Sequence, residues 1–338
     1  MAGSSWSPDG KEIWFGGTRP GSDEALWAVD LSGRERLLTQ IAGYGALHDV
    51  GRDGRLLLAN VDSRIGIRYF SRGAAEERDL AWLDASSVWD ISNDGSEVLF
   101  AELSSGEGRN PAIYLRRADG SPAVLLGYGT RPALSPDGKW VACVRRDRDT
   151  SRLVLLPTGA GQEKILSTGA VQAETVAWFS NGRRLLISGN EPNQSPRSYA
   201  IDVDREAVRP ITPPGMRASA ISPDGQFAAI VAAGKLTLHS LESARDSVVG
   251  AVEPGVSIIR WSTDGLYLFL QRAEPQRHSA TILRMHVRTA HTEIWRVLKP
   301  ADPTAVLSGL TRVSADGESY AYSFQRDLST LYLVRGVK

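Results

Sequence analysis

Short apolar runs alternate with polar turns along the whole chain, and the 3.6-residue periodicity of amphipathic helices is lacking. The runs are rich in Val, Ile, Leu, Tyr and Trp, the residues that suit a pleated, half-buried strand. One ten-residue unit, first met as WSPDGKEIWF, recurs as VGRDGRLLLA, ISNDGSEVLF, LSPDGKWVAC, WFSNGRRLLI, ISPDGQFAAI, WSTDGLYLFL and VSADGESYAY. Its turn residues are Asp9, Asp53, Asp94, Asp137, Asn181, Asp224, Asp264 and Asp316, spaced 40 to 52 residues apart. Each unit reads as strand, tight turn, strand. Asp or Asn bonds its own backbone, and the Gly that follows takes the positive φ that closes a hairpin.

A second strand follows each hairpin (ALWAVDL, AIYLRRA, RLVLLPT, KLTLHSL), and often a third short one (RERLLT, QEKILS, VRPIT). Four strands in a repeat of this size make one propeller blade. The expectation is an all-β fold, a β-propeller of about eight four-stranded blades, with residues 1–338 as a single domain. Only 22 residues follow Asp316 and eight precede Asp9, so strand supply runs short at closure. Either the ring closes with a three-stranded blade or the chain is a fragment of something longer. The last blade is expected to have three strands, with STLYLVRG as an exposed outer edge.

Alternation along the first strand of each repeat separates two sets of residues. Three positions before the turn Asp or Asn the residue is always apolar: Trp6, Val50, Ile91, Leu134, Trp178, Ile221, Trp261, Val313. Four positions before it stand Ser5, Asp49, Asp90, Ala133, Ala177, Ala220, Arg260 and Arg312. The first set is expected between blades, the second towards the axis, acidic on one side and basic on the other. These charges either pair locally or bind a polar ligand at the channel mouth, for which His48, Asp49, Trp89, Asp90, Arg260 and Arg312 are the candidates. Trp89 either stacks on such a ligand or packs between blades. The connections ELSSGEGRNP, GNEPNQSP and QRAEPQRHS are long, and they make their face of the propeller the candidate binding face.

Composition narrows the partners. Lys plus Arg is 39 and Asp plus Glu is 39, a zero net charge that speaks against nucleic acid as the main partner. The longest apolar run, FAAIVAAG at 227–234, is far short of the roughly 20 residues of a membrane-spanning helix. MAGSSWSPDG has no signal-peptide pattern. The single Cys143 and five scattered histidines give no metal-ligand spacing, and RRDRDTSR (145–152), with Asp147 and Asp149, lacks the rest of a calcium loop. No cofactor or metal is expected. A P-loop and a Gly-x-Ser-x-Gly elbow are both absent from the sequence.

The WSPDGK-type turn followed by an LYxxDxxGxxRxLT-like continuation resembles the TolB-type, WD-like propeller repeats of bacteria. More narrowly, LVLLPTGAG (153–161), RRLLISGNEP (183–192) and SADGESYAYSFQRDLSTLYLVRGVK (314–338) resemble the C-terminal propeller region of bacterial, especially acidobacterial, serine/threonine protein kinases. The resemblance implies a sensor or interaction module in an extracytoplasmic, periplasmic setting, monomeric, with a protein, peptide, glycan or other small polar ligand as partner. None of the kinase motifs is in the chain: no Gly-rich loop with its strand Lys, no His-Arg-Asp, no Asp-Phe-Gly. A non-catalytic binding propeller is the expectation. The alternative is a propeller enzyme, a lyase or glycosidase, with Asp49 and Asp90 as an acid/base pair.

Overall fold

In the computed structural model, which describes residues 3–17, 24–41, 44–148, 150–274 and 278–337, every one of the eight turn motifs closes a hairpin. The eight glycines after the turn residue all have φ between 65° and 77°, the left-handed region open to glycine at little cost. Six copies carry a Ser two positions before the Asp. Its hydroxyl donates to the Asp carboxylate and accepts the backbone N–H that starts the next strand, as at Ser135, Asp137 and Trp140. The motif is thus a small hydrogen-bonded ring of Ser, Asp and backbone, which explains its repetition without any catalytic role.

These bonds set a pH dependence. The Ser hydroxyls first, then the turn amides, hold Asp94 and Asp264 below the ordinary carboxylate range against burial, which raises them. Asp137 is lowered for the same reason, with Ser135 the largest cause. A lowered native pKa contributes stability above the ordinary aspartate value of about 4. That contribution is lost as the pH falls through the native value. Ser135→Ala is therefore expected to lower the denaturation midpoint at pH 7 and to lose most of that difference near pH 2. An equal loss at both pH values would show that the hydroxyl acts through packing alone.

No α-helix occurs among the described residues; the strands there form seven antiparallel sheets. The chain divides into two compact units, Met1–Arg64 with Arg326–Lys338, and Ile65–Gln325. In the first, Ser4–Trp6, Glu12–Gly17, Ala25–Asp30 and Glu35–Gln40 pair in sequence order. Tyr44–Val50 pairs with the first half of Leu56–Phe70. Trp14, Leu26, Ala28, Leu47, Leu56 and Leu58 are its core.

The 65–325 unit holds six four-stranded blades, each running from its first strand outwards. Blade A is Ser86–Ile91, Glu97–Glu107, Asn110–Arg117 and Val124–Tyr128. Blade B is Thr130–Leu134, Trp140–Asp147, Thr150–Pro157 and Lys164–Leu166. Blade C is Gln172–Trp178, Arg184–Asn190, Arg197–Asp202 and Val208–Pro210. Blade D is Ala220–Ile221, Phe227–Ala232, Lys235–Ser240 and Asp246–Ala251. Blade E is Val256–Trp261, Tyr267–Glu274, Ser279–His286 and Thr292–Leu298. Blade F joins Ala305–Val313 and the start of Tyr320–Val334 to the end of Leu56–Phe70 and to Arg78–Asp79.

Separate apolar clusters fill the gaps between successive blades: Leu99 and Val154 between A and B, Val144 and Ile187 between B and C, Leu186 and Ile230 between C and D. Leu236 and Leu268 lie between D and E, Phe269 and Tyr322 between E and F. The sixth cluster, with Ile67, Tyr69, Val88 and Phe100, returns from F to A, so the ring of this unit closes. Apolar residues facing both neighbours are what a blade needs, because each sheet is buried on both faces.

The sheet order corrects the expectation of a three-stranded last blade. STLYLVRG is no separate third strand. Residues 329–334 continue one 15-residue strand, Tyr320–Val334, which pairs with Ala305–Val313 and with Leu56–Phe70, while residues 327–333 are exposed. The physical reason is turn chemistry: residues 320–334 contain no Gly, Pro or Asn to break the strand. The outer strands come instead from the second repeat.

Candidate functional site

The first strands of blades A to F surround a cavity of about 810 Å³ in the 65–325 unit. The residues four positions before each turn, Asp90, Ala133, Ala177, Ala220, Arg260 and Arg312, all line it. Their neighbours one position on, such as Ile91, Leu134, Trp261 and Val313, are buried. Small alanines on three consecutive blades leave the space, and the charged residues sit on the other side of it.

Register irregularities aim those charges. The pairing of the first and second strands slips between Val88 and Asp90 in blade A and between Ile258 and Arg260 in blade E. Such bulges bend a strand and redirect the side chains beside them. Trp89 is the extra residue of the first bulge, and it also lines the cavity.

The polar network centres on Asp90. One carboxylate oxygen accepts the N–H of Ile91 at 2.9 Å, the other the N–H of Leu134 in blade B at 3.0 Å. Arg312 donates through Nε to the carbonyl of Trp89 and through a terminal nitrogen to that of Thr311 at 2.9 Å. Arg260 donates to the carbonyl of Val313 at 3.1 Å and to the side-chain oxygen of Asn93 at 2.8 Å. Burial pulls both guanidiniums below their ordinary pKa while the field of Asp90 opposes it. Arginine stays charged under such shifts. The expected polarity, acid on one side and base on the other, is corrected: the ring of this unit closes F onto A, which makes Asp90 a neighbour of Arg312.

Several donors are left over. The Nε of Arg260, the indole N–H groups of Trp89 and Trp261, and the Thr311 hydroxyl are buried without a hydrogen-bond partner among the described residues. A buried N–H left unpaired costs roughly 1–3 kcal/mol. Three of these four, the Arg260 Nε–H and the indoles of Trp89 and Trp261, belong to residues lining the cavity and call for an acceptor.

Arg131, which sequence reasoning did not single out, also lines the cavity, with its guanidinium 5.4 Å from the Trp89 ring centroid. It lies six positions before Asp137. By alternation that position shares the axial side, and Arg131 is the only charged residue found there in the eight repeats.

His48 and Asp49 lie in the other unit, on Tyr44–Val50, and both are exposed. Asp49 accepts the N–H of Val50 at 2.8 Å and the Ser5 hydroxyl at 3.4 Å. Of the long connections, ELSSGEGRNP is no loop: it folds as an extended hairpin between Glu97–Glu107 and Asn110–Arg117. GNEPNQSP remains a loop, and residues 275–277 of QRAEPQRHS lie outside the described residues. No helix among the described residues is long and apolar enough to cross a membrane.

No protein-family model matches the chain, and no curated protein matches it. Solved structures do. TolB from Acinetobacter baumannii is 14% identical with a TM-score of 0.46, over 95% of this chain and 66% of that one. A puromycin hydrolase S511A mutant complexed with PGG is 16% identical with a TM-score of 0.47, over 94% of this chain and 57% of that one. An oligogalacturonate lyase in complex with manganese is 14% identical with a TM-score of 0.45, over 79% of this chain and 84% of that one. The chain thus spans about two-thirds of the TolB chain and little more than half of the hydrolase. What it is similar to, in fold, is the TolB-like β-propeller proteins.

Proposed function

We propose that this protein is a non-catalytic binding propeller whose axial cavity takes an acidic ligand, best an acidic peptide segment of a partner protein. The observation that carries this reading is the set of donors around the cavity: Arg131, Arg260 and Arg312, with the Arg260 Nε–H and the indole N–H groups of Trp89 and Trp261 lacking acceptors among the described residues. A carboxylate satisfies such donors with charge-assisted, fork-like hydrogen bonds. Asp90, Asp94 and Asp316 line the cavity as well, but both Asp90 oxygens accept backbone N–H groups. Asp94 and Asp316 accept the Ser92 and Ser314 hydroxyls of their turns, so the Arg260 Nε–H stays open to a ligand acceptor. The backbone bonds to Asp90 also favour binding over proton transfer by its carboxylate.

The resemblance of 153–161, 183–192 and 314–338 to the propeller region of bacterial serine/threonine kinases extends this reading to a sensor module of a receptor-like kinase, acting outside the cytoplasm as a monomer. Glycans and other small polar anions are the remaining ligand classes for the same cavity.

The test uses tetraglutamate as probe, titrated calorimetrically. One-to-one binding is expected, weakened roughly tenfold or more for each guanidinium removed in Arg260→Ala and Arg131→Ala. Alanine is preferable to charge reversal, since a carboxylate at position 312 would face the carbonyls of Trp89 and Thr311. Equal affinity in the wild type and both variants, with normal folding, would exclude the cavity.

A further inference from the structure

We propose a second, separate anion site: a cup at the hairpin tips of blades A and B that binds a phosphate-bearing group with two or more negative charges. The cup encloses about 620 Å³ and shares no lining residue with the axial cavity. Five arginines line it, Arg109, Arg145, Arg146, Arg148 and Arg152, against two acids, Glu107 and Asp147. In a chain whose net charge is zero, this is a marked local excess of positive charge. Arg145 is held by both oxygens of Glu163 at 2.9 and 2.8 Å. The other four make no ion pair among the described residues, which do not include Asp149.

Two features distinguish the cup from a solvated charged loop. Asn110, at 8% exposure, ties the two hairpins together. Its amide donates to the carbonyl of Arg146 at 2.9 Å, and its oxygen accepts the N–H of Arg146 at 2.7 Å. The two arginine-bearing tips are therefore fixed to each other through main chain, which lowers the ordering cost of binding. In addition, Arg148 has φ 33°, the left-handed region where hairpin turns ordinarily carry Gly, Asn or Asp. An arginine there sets aside local turn preference, as strained residues at binding sites do. Several planar guanidiniums around one concavity suit the tetrahedral oxygens of phosphate and its multiple charge.

Inorganic pyrophosphate is the probe, titrated calorimetrically into the full chain at low ionic strength. One-to-one binding is expected, at least tenfold weaker in the Arg109→Ala, Arg152→Ala double variant. Asn110→Ala is expected to weaken it by a similar factor although every arginine remains. Should Asn110→Ala fail to fold, the double variant, altered only at exposed positions, carries the test. No heat of binding at millimolar pyrophosphate, or unchanged affinity in the double variant, would overturn the proposal. So would equally tight binding of citrate, or loss of pyrophosphate binding in Arg260→Ala instead.

Discussion

Glu77→Ala is expected to destabilise the 65–325 unit by roughly 2–5 kcal/mol, because it strands two buried hydroxyls at once. Glu77 precedes the short strand Arg78–Asp79, and its two oxygens accept the hydroxyls of Tyr320 at 2.8 Å and Tyr322 at 2.7 Å. Both tyrosines belong to Tyr320–Val334 and are almost fully buried, at 4% and 0% exposure. Burial first, then the Glu77 carboxylate, pushes Tyr320 up to about 12 and Tyr322 higher still, so both hydroxyls keep their protons and donate. Around them Phe70 stacks on Tyr320 at 5.2 Å, Trp295 meets it edge-on at 6.1 Å, and the Arg296 guanidinium lies 4.9 Å from the Tyr320 ring centroid. The clamp thus joins the two distant chain segments that make blade F. Urea denaturation should show a lower midpoint, and hydrogen exchange should show lost protection in 65–70 and 320–325. Glu77→Gln retains one acceptor and should lose about half as much. A change below about 0.5 kcal/mol in Glu77→Ala, the ordinary scale of surface substitutions, would mean that the clamp does not hold the blade.

The second large effect separates backbone strain from crowding at equivalent turns. Gly10 and Gly95 occupy the same motif position, with φ 70° and 72°. A Cβ on Gly10 meets nothing within 4 Å, whereas one on Gly95 lies 2.7 Å from both Cβ and Oγ of Ser319. Ser319 is buried, with its backbone N–H held by the Ser314 hydroxyl, so it cannot easily give way. Gly10→Ala should therefore cost only the left-handed penalty of about 1–2 kcal/mol. Gly95→Ala should add about 1–3 kcal/mol of overpacking to the same penalty. Equal losses in the two variants would show that conformation alone decides the turn glycines.

The parts of the fold that repeat were legible in the sequence. Eight Gly-closed turns identified eight hairpins, and counting four positions back from each turn picked out six residues that line the axial cavity. The assignment of strands to sheets was not legible, because it depends on which strand fills the edge left by the last hairpin. Nothing local in Leu56–Phe70 or Tyr320–Val334 says that each runs on for 15 residues, except the missing turn chemistry in the second. The neighbour relation of Asp90 and Arg312 follows from the same closure, and so was misplaced. The Glu77 clamp links residues more than 240 positions apart. Its tyrosines read simply as strand residues. The arginine cup was present as RRDRDTSR, yet its partner Arg109 stood in a stretch that looked like a loop and folds as a hairpin.

The binding claim is tested most directly at the arginine whose Nε–H lacks a partner. In a sample labelled at arginine Nε, titration with tetraglutamate is expected to shift the Arg260 and Arg312 Nε–H resonances together, saturating at one ligand per chain. The Trp89 indole N–H should move with them. Saturable binding that leaves all three signals in place, or no binding at millimolar tetraglutamate, would contradict an acid-binding axial cavity.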